Sequence, residues 1–377
     1  MTTEVLFIGF LDSPHFARWT RMVLQRTDFR ICLFGSSPAR RINPLLQQLL
    51  VDYPNRLVIS KHNPRFSVLV SIIDLVPIFG LRARLLRRCL EEKKYHLIHY
   101  FEMQHSGYLL DKVALDNKPL VAYSNYGSDI FWFSRKKSHR RKIIRTLSMT
   151  DLVFYECDRD NDFLSRHIRP AAKLVKTVNS GGLTVQKDRS FSNRDIILVK
   201  GYSNKWGRAL WVLWKLAAER KQIKENYRIV MYSCDYHVPL LAAFWGRLVG
   251  IKVKCHIKGT LTHSETLDLF NDAIMHIAVS RSDGVPSSTL EAMQGGAIPI
   301  QSKTACMEDW IDNGRTGFLI EREGTELLSA FRRILHDPAF REYAARQNQV
   351  IIRDRHDSKL VGERVAAAYK DLLSKCN

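Results

Sequence analysis

VSRSDGVPSSTLEAMQGGAIP, running from Val279 to Pro299, is the stretch that decides how this chain is read. Before it, the apolar run MHIAVS (Met275–Ser280) reads as a strand. The loop RSDGVP follows, and then a helix that Gly295–Gly296 closes. Ser288 and Glu291 stand at the S-x-x-E spacing of a capping box, with Pro286 just ahead fixing the chain's approach. Physically this is an anion site. Gly284 lets the backbone come close to a ligand, and the N–H groups of the helix's first turn have no acceptor within the helix. A diphosphate is the group such a site stabilises. Asp283 and Glu291, eight residues apart, both reach that pocket. The plainer reading makes Glu291 only the capping partner and Asp283 only a turn residue.

Working outward, apolar runs alternate with helix-like segments. VLFIGF, FRICLFG, NRLVIS, HLIHYF, PLVAYS and DLVFYE read as strands in the first half. DIILVKG, YRIVMYS, KVKCHIK, MHIAVS and AIPIQS do so in the second, where the pattern restarts. Strand alternating with helix predicts parallel sheets covered on both faces, which bind ligands at the carboxyl ends of their strands. The expectation is an α/β chain of two Rossmann-like domains facing each other across a cleft. Domain one spans 1–190 and domain two 191–359, with the polar stretch Gln186–Asp195 as linker. The last helix, 360–377, is expected to pack back onto the first domain. The first strand–helix turn lacks G-x-G-x-x-G, so dinucleotide binding has no direct support there.

A length of 377 residues with 45% hydrophobic and 25% charged residues excludes a disordered or collagen-like chain. Seven cysteines are scattered without C-x-x-C, which fits a reduced setting without structural zinc. CDRDND (Cys157–Asp162) lacks the glycine and glutamate of a calcium loop and reads as a helix start. The net charge of +20 is concentrated in the first half: 31 Lys/Arg against 17 Asp/Glu over residues 1–190, and 27 against 21 over 191–377. Such charge invites nucleic acid or an anionic membrane surface. No helix-turn-helix, zinc finger or RNA-recognition motif supports nucleic acid, and none is expected as a partner. Two basic segments suggest a membrane surface: Phe66–Leu81 followed by Arg82, Arg84, Arg87 and Arg88, and Ser134–Arg145. The start of the sequence reads as no secretory signal.

The segment from Val279 to Pro299 resembles the nucleotide-sugar site of retaining glycosyltransferases of family 4, which have the GT-B fold. That family carries S-x-x-E-G-x-P-x-x-x-x-E-A-M-A-x-G-x-P; here Asp283 replaces the first glutamate and Gln294 an alanine. The likeness continues through Asp309–Leu335. It implies that Glu291 binds the nucleotide's ribose hydroxyls and that Asp283 acts near the donor sugar. Gly284, Val285, Pro286, Ser287 and Ser288 would line the diphosphate site. The family's R-x4-K is similar to Lys200 and Lys205, with Arg208 close by. A surface role is the alternative for these cations. In the first half the resemblance is looser. YGSD, Tyr126 to Asp129, stands where the family has H-G-x-D, and Asp129 is a second catalytic candidate, or else a helix cap. Gly9, Ser13 and His105 are the acceptor-side candidates. A structural role is the alternative for His105, as for His99.

The resemblance implies retaining transfer of a sugar from a nucleotide-diphosphate donor to a hydroxyl, with no cofactor and no bound metal. The charge adds an expected setting. The enzyme is read as cytoplasmic and peripheral on the inner face of the cell membrane, with a lipid-linked or oligosaccharide acceptor in polysaccharide or glycolipid assembly. Two rival readings remain: a non-catalytic nucleotide-sugar binder, because the family's histidine is missing at Tyr126, and a basic nucleic-acid-binding protein.

Overall fold

The computed structural model describes residues 3–37, 41–64, 80–113, 115, 119–184, 191, 194–204, 206–304, 306–321 and 326–374. Lys205, the run 66–79 and most of the stretch Gln186–Asp195 lie outside the described residues. The chain forms two units, one of Met1–Gly182 with Ser358–Asn377 and one of Leu183–Asp357. The sequence reading placed these divisions at 190/191 and 359/360.

The first unit is built on a seven-stranded sheet in the order β3-β2-β1-β4-β5-β6-β7. Its strands are β1 (Glu4–Gly9), β2 (Arg30–Gly35), β3 (Leu57–Ile59), β4 (Leu97–Phe101), β5 (Leu120–Ser124), β6 (Leu152–Tyr155) and β7 (Lys173–Lys176). Every pairing is parallel. A parallel strand is covered on both faces, which is why β1 is a continuous apolar run and not an alternating one. Leu6 and Ile8 point into a core with Leu86, Tyr100, Tyr123 and Leu147. Phe7, on the other face, meets Phe16, His99 and Phe101 edge-on.

The C-terminal helix Ser358–Ser374 belongs to this unit. Buried Tyr369 accepts a hydrogen bond from Trp19 Nε1 at 3.0 Å, and its hydroxyl lies 2.5 Å from His99 Nδ1. The indole can only donate, so the tyrosine proton goes to Nδ1. His99 Nε2–H then donates to Ser124 Oγ at 3.0 Å. Burial pushes the His99 pKa well down and keeps the ring neutral, as this chain of bonds requires.

The second unit carries a six-stranded parallel sheet, β10-β9-β8-β11-β12-β13. Its strands are β8 (Ile196–Lys200), β9 (Arg228–Cys234), β10 (Val253–Ile257), β11 (Ala273–Ala278), β12 (Ile298–Ser302) and β13 (Phe318–Ile320). Both orders are those of the doubly wound Rossmann sheet. In each, the strand order reverses between the first strand and its later neighbour, β1/β4 and β8/β11, and loops there diverge to leave room for a ligand.

Two edge strands and one long helix lack a clear sequence signal. β7 is KLVK, half charged, and β13 is only three residues long. The helix Pro338–His356 buries Phe340, Ala344, Ala345, Asn348, Ile352 and His356, a face on which only Phe340 and Ile352 are large and apolar, and so without an apolar stripe. CDRDND does begin a helix, Asp158–His167, with Asp158 and Asp160 in its first turn. Among the described residues no helix is long and apolar enough to cross a membrane.

Candidate functional site: the β8/β11 switch point

Adjacent strands bring the first two candidate residues together. Lys200 ends β8, and Asp283 lies in the loop that follows β11. Lys200 Nζ stands 3.7 Å from Asp283 Oδ2. Asp283 Oδ1 also accepts the Gly284 N–H at 3.0 Å, so the carboxylate is oriented from two sides. The Gly284 carbonyl accepts the Cys306 N–H, which ties the loop to the end of β12.

The loop after β8 is held against the same place. Arg281 N–H donates to the Trp206 carbonyl and Arg208 N–H to that of Val279, zipping the two loops antiparallel around a Gly207–Ser280 bridge. The loop also folds tightly on itself and against β9, which explains two glycines. A Cβ on Gly207 would lie 2.3 Å from the Tyr202 carbonyl oxygen, and one on Gly201 2.4 Å from Cys234 Sγ. Asp235 accepts the Ser203 N–H at 2.8 Å and bonds Asn204, fixing the turn. Arg208 precedes the helix Ala209–Leu216 and lays its guanidinium over the Trp211 ring.

The helix Ser287–Gln294 begins directly behind this loop. The capping box expected from Ser288 and Glu291 is absent. Pro286 occupies the cap position and no side chain closes it, so the first-turn amides are left for another acceptor. Val285 and Pro286 carry the backbone into that turn. Glu291 sits one turn further in, buried, with Oε1 3.9 Å from His263 Nε2. Gly296, at φ 84°, makes the left-handed stop after the helix.

Two further residues reach this neighbourhood without a sequence signal. Lys258, just past β10, and Lys200 both stand over the Tyr202 ring, at 5.7 and 5.2 Å. His263 faces Glu291 from the start of the helix His263–Asp272. Neither belongs to a motif; the parallel sheet and the helix that follows β10 place them here.

In the first unit the candidates have mixed placements. Gly9 ends β1 with the Phe16 ring where a Cβ would go, 2.5 Å away, and Ser13 caps the helix Pro14–Leu24. Asp129 is buried, and its Oδ2 accepts from Tyr123 Oη (2.9 Å), Met103 N (3.1 Å) and Tyr126 N (3.2 Å). It therefore ties the loop after β5 to the turn after β4. His105 lies in that turn beside Glu102, Nδ1 to Oε2 3.1 Å, and this carboxylate raises its pKa. Glu102 itself has φ 72°, a left-handed conformation unusual for a side chain of its size. It stands at the β1/β4 switch point and, like Lys258 and His263, carries no sequence signal. His105 also borders a small basic pocket with Arg82, Lys112, Lys142 and Arg145.

Burial, and then the nearby Glu102 charge, pushes the Asp129 carboxyl from 3.8 up to about 8. The folded protein thus holds a proton that the unfolded chain has released. Its contribution to stability is full below the unfolded value and is lost as pH rises through the folded one. Asp129→Asn cannot titrate. Thermal melts should show wild type losing stability relative to this variant as pH rises from about 4 to 8. Parallel profiles would exclude a raised carboxyl.

Residues 246–350 match the family described as Glycosyl transferases group 1. No curated protein matches the chain at a significant level. Among solved structures, a sucrose-phosphate synthase from Thermosynechococcus elongatus is similar at TM-score 0.72 and 14% identity, covering 99% of this chain and 100% of that one. HepE from Anabaena, solved with UDP-glucose, gives TM-score 0.71 and 14% identity over 98% and 99% of the two chains. A glycosyltransferase from Rickettsia africae gives 0.66 and 14% identity over 99% of each. These likenesses establish the two-unit GT-B architecture, and the segment that matches the glycosyl transferase family lies wholly within the second unit.

Proposed function

We propose that the chain transfers a sugar, with retention, from a nucleoside-diphosphate sugar to a hydroxyl of a lipid-linked saccharide. The observation that carries this reading is the set of groups at the β8/β11 switch point: Lys200, Asp283 and the uncapped start of Ser287–Gln294. HepE, of the same fold, was solved with UDP-glucose, which supports a nucleotide sugar as donor here.

The chemistry follows from the charges. Without donor, Lys200 neutralises Asp283. A diphosphate entering at the helix start competes for the ammonium. Asp283 is then released to accept hydrogen bonds from donor-sugar hydroxyls. Lys200, with Lys205 and Arg208 as further cations and the amides of Ser287 and Ser288, offsets the negative charge that grows as the C–O bond to the diphosphate breaks. The acceptor oxygen bonds to the anomeric carbon on the same face, and its proton passes to a diphosphate oxygen. These cations do the work a divalent metal would otherwise do, so no metal is required. Buried Glu291 pairs with the nucleotide ribose. Asp129 acts as a positioning residue for the turn bearing Glu102 and His105, on the acceptor side.

The basic excess supports attachment to an anionic membrane on its cytoplasmic face and a role in polysaccharide or glycolipid assembly. Glu291→Ala should weaken donor binding by roughly tenfold or more, as expected when a charge-assisted hydrogen bond is removed. A thermal-shift screen of nucleotide sugars against wild type and this variant tests it. A donor that stabilises both equally would contradict the assignment.

A further inference from the structure

Helix Val238–Val249, VPLLAAFWGRLV, buries Val238, Ala242, Trp245 and Gly246 against its own unit. It is pressed close, for a Cβ on Gly246 would lie 2.4 Å from the Ile251 carbonyl oxygen. Its opposite face should then be polar, and it is not. Leu240 is 76% exposed, Phe244 63% and Leu248 63%, with Arg247 the one charge on the helix. Tyr236, just before the helix, is 85% exposed. Trp214, on the neighbouring helix Ala209–Leu216 that packs against it, is 70% exposed. Exposed apolar side chains are ordinary when scattered; these share one helix and its neighbour, which marks an interaction surface.

Charge selects the partner. From Arg208 to Lys258 there are ten Lys/Arg against three Asp/Glu, whereas the rest of residues 191–377 has 17 against 18. The positive excess of the second unit therefore lies in the stretch of chain that holds this helix; Arg208 and Lys258 belong to the donor site, whereas Lys215, Lys221, Lys224, Arg247, Lys252 and Lys254 are exposed cations outside it. A second copy docked through the same face would bring like charge against like. An anionic bilayer meets both demands. It takes the leucines and aromatic rings at the headgroup–acyl boundary and the cations at its surface.

The basic helix Lys137–Ser148 offers a contrast. It exposes charge, but Ile143 and Leu147 are buried in the core. Two of its cations lie over aromatic rings of its own unit, Arg140 over Phe163 and Lys142 over Tyr108. It supplies attraction and no apolar insertion.

We propose that helix Val238–Val249, with Tyr236 and Trp214, is a docking surface that inserts into an anionic membrane. This rests on the membrane-associated reading above and places its apolar anchor on the second unit. The test is flotation with phosphatidylcholine vesicles, with and without phosphatidylglycerol. Wild type should float with the anionic vesicles only, and less so in high salt. Leu240→Ser, Phe244→Ser and Leu248→Ser combined should cut the bound fraction at least about tenfold, with an unchanged melting temperature, since these side chains are exposed. Donor turnover without vesicles should be unaffected.

Flotation of this variant at the wild-type level would overturn the proposal. If Lys136, Lys137, Arg140 and Arg141→Glu then abolished binding, the membrane reading would survive with its anchor in the first unit. No flotation of wild type would end both. A concentration-dependent dimer of wild type that the serine variant dissolves, without loss of vesicle binding, would reassign the face to self-association.

Discussion

Replacing Lys200 with alanine should lower kcat/KM for donor turnover by about 100- to 1000-fold, the usual loss when one preorganised charge opposite a leaving group is removed. Lys200→Arg should retain most of the activity, because charge rather than a single nitrogen is needed there. The effect should also be non-additive with Asp283→Ala, since the two side chains touch at 3.7 Å. Alone, Asp283→Ala should lower kcat more than donor affinity. It removes a contact to the sugar while freeing Lys200 for the diphosphate. A steady-state double-mutant cycle measures all three effects. Additive losses, or full activity in Lys200→Ala, would move the diphosphate elsewhere.

The second large effect concerns stability. Tyr369→Ala should cost about 3–5 kcal/mol, the range for truncating a large buried aromatic side chain. It removes a ring packed on Phe29, Phe154 and His99 and leaves two nitrogens, Trp19 Nε1 and His99 Nδ1, without their partner. Tyr369→Phe keeps the ring and should cost about 1–3 kcal/mol through the lost hydroxyl alone. Denaturant unfolding followed by far-ultraviolet dichroism reads both. If the two variants unfolded at the same midpoint, packing of the ring would contribute nothing. If both matched wild type, the C-terminal helix would not be held through this residue.

The strands of both sheets were legible because parallel strands, buried on both faces, are continuous apolar runs. β1 and β11 each bury nearly every residue and stand out from the polar segments around them. β7 and β13 lie at sheet edges, and their short or half-charged sequences carry no such signal. The helix Pro338–His356 escaped notice for a similar reason, because its buried face includes Asn348 and His356.

The candidate site divides along the same line. Asp283, Gly284 and the helix after Pro286 are contiguous, so spacing alone suggested an anion pocket. Lys200 lies some eighty residues earlier and comes to Asp283 only because β8 and β11 are neighbours. Lys258 and His263 had no motif and needed the sheet and its following helix to reveal them. The S-x-x-E spacing of Ser288 and Glu291 suggested a cap that the backbone does not form, since the helix starts two residues earlier, directly behind Pro286. Glu102 was silent for a different reason, as its left-handed backbone is a property of the fold and not of the residue type.

The most direct test of the central claim is calorimetric titration of the wild-type chain and Lys200→Ala with a panel of nucleoside diphosphates and the matching nucleosides. The account predicts that one diphosphate binds wild type stoichiometrically. Lys200→Ala should weaken that diphosphate by tenfold or more, on the order of 1.4 kcal/mol, and leave the nucleoside unchanged. Equal weakening of both, or no binding of any nucleoside diphosphate to wild type, would contradict it.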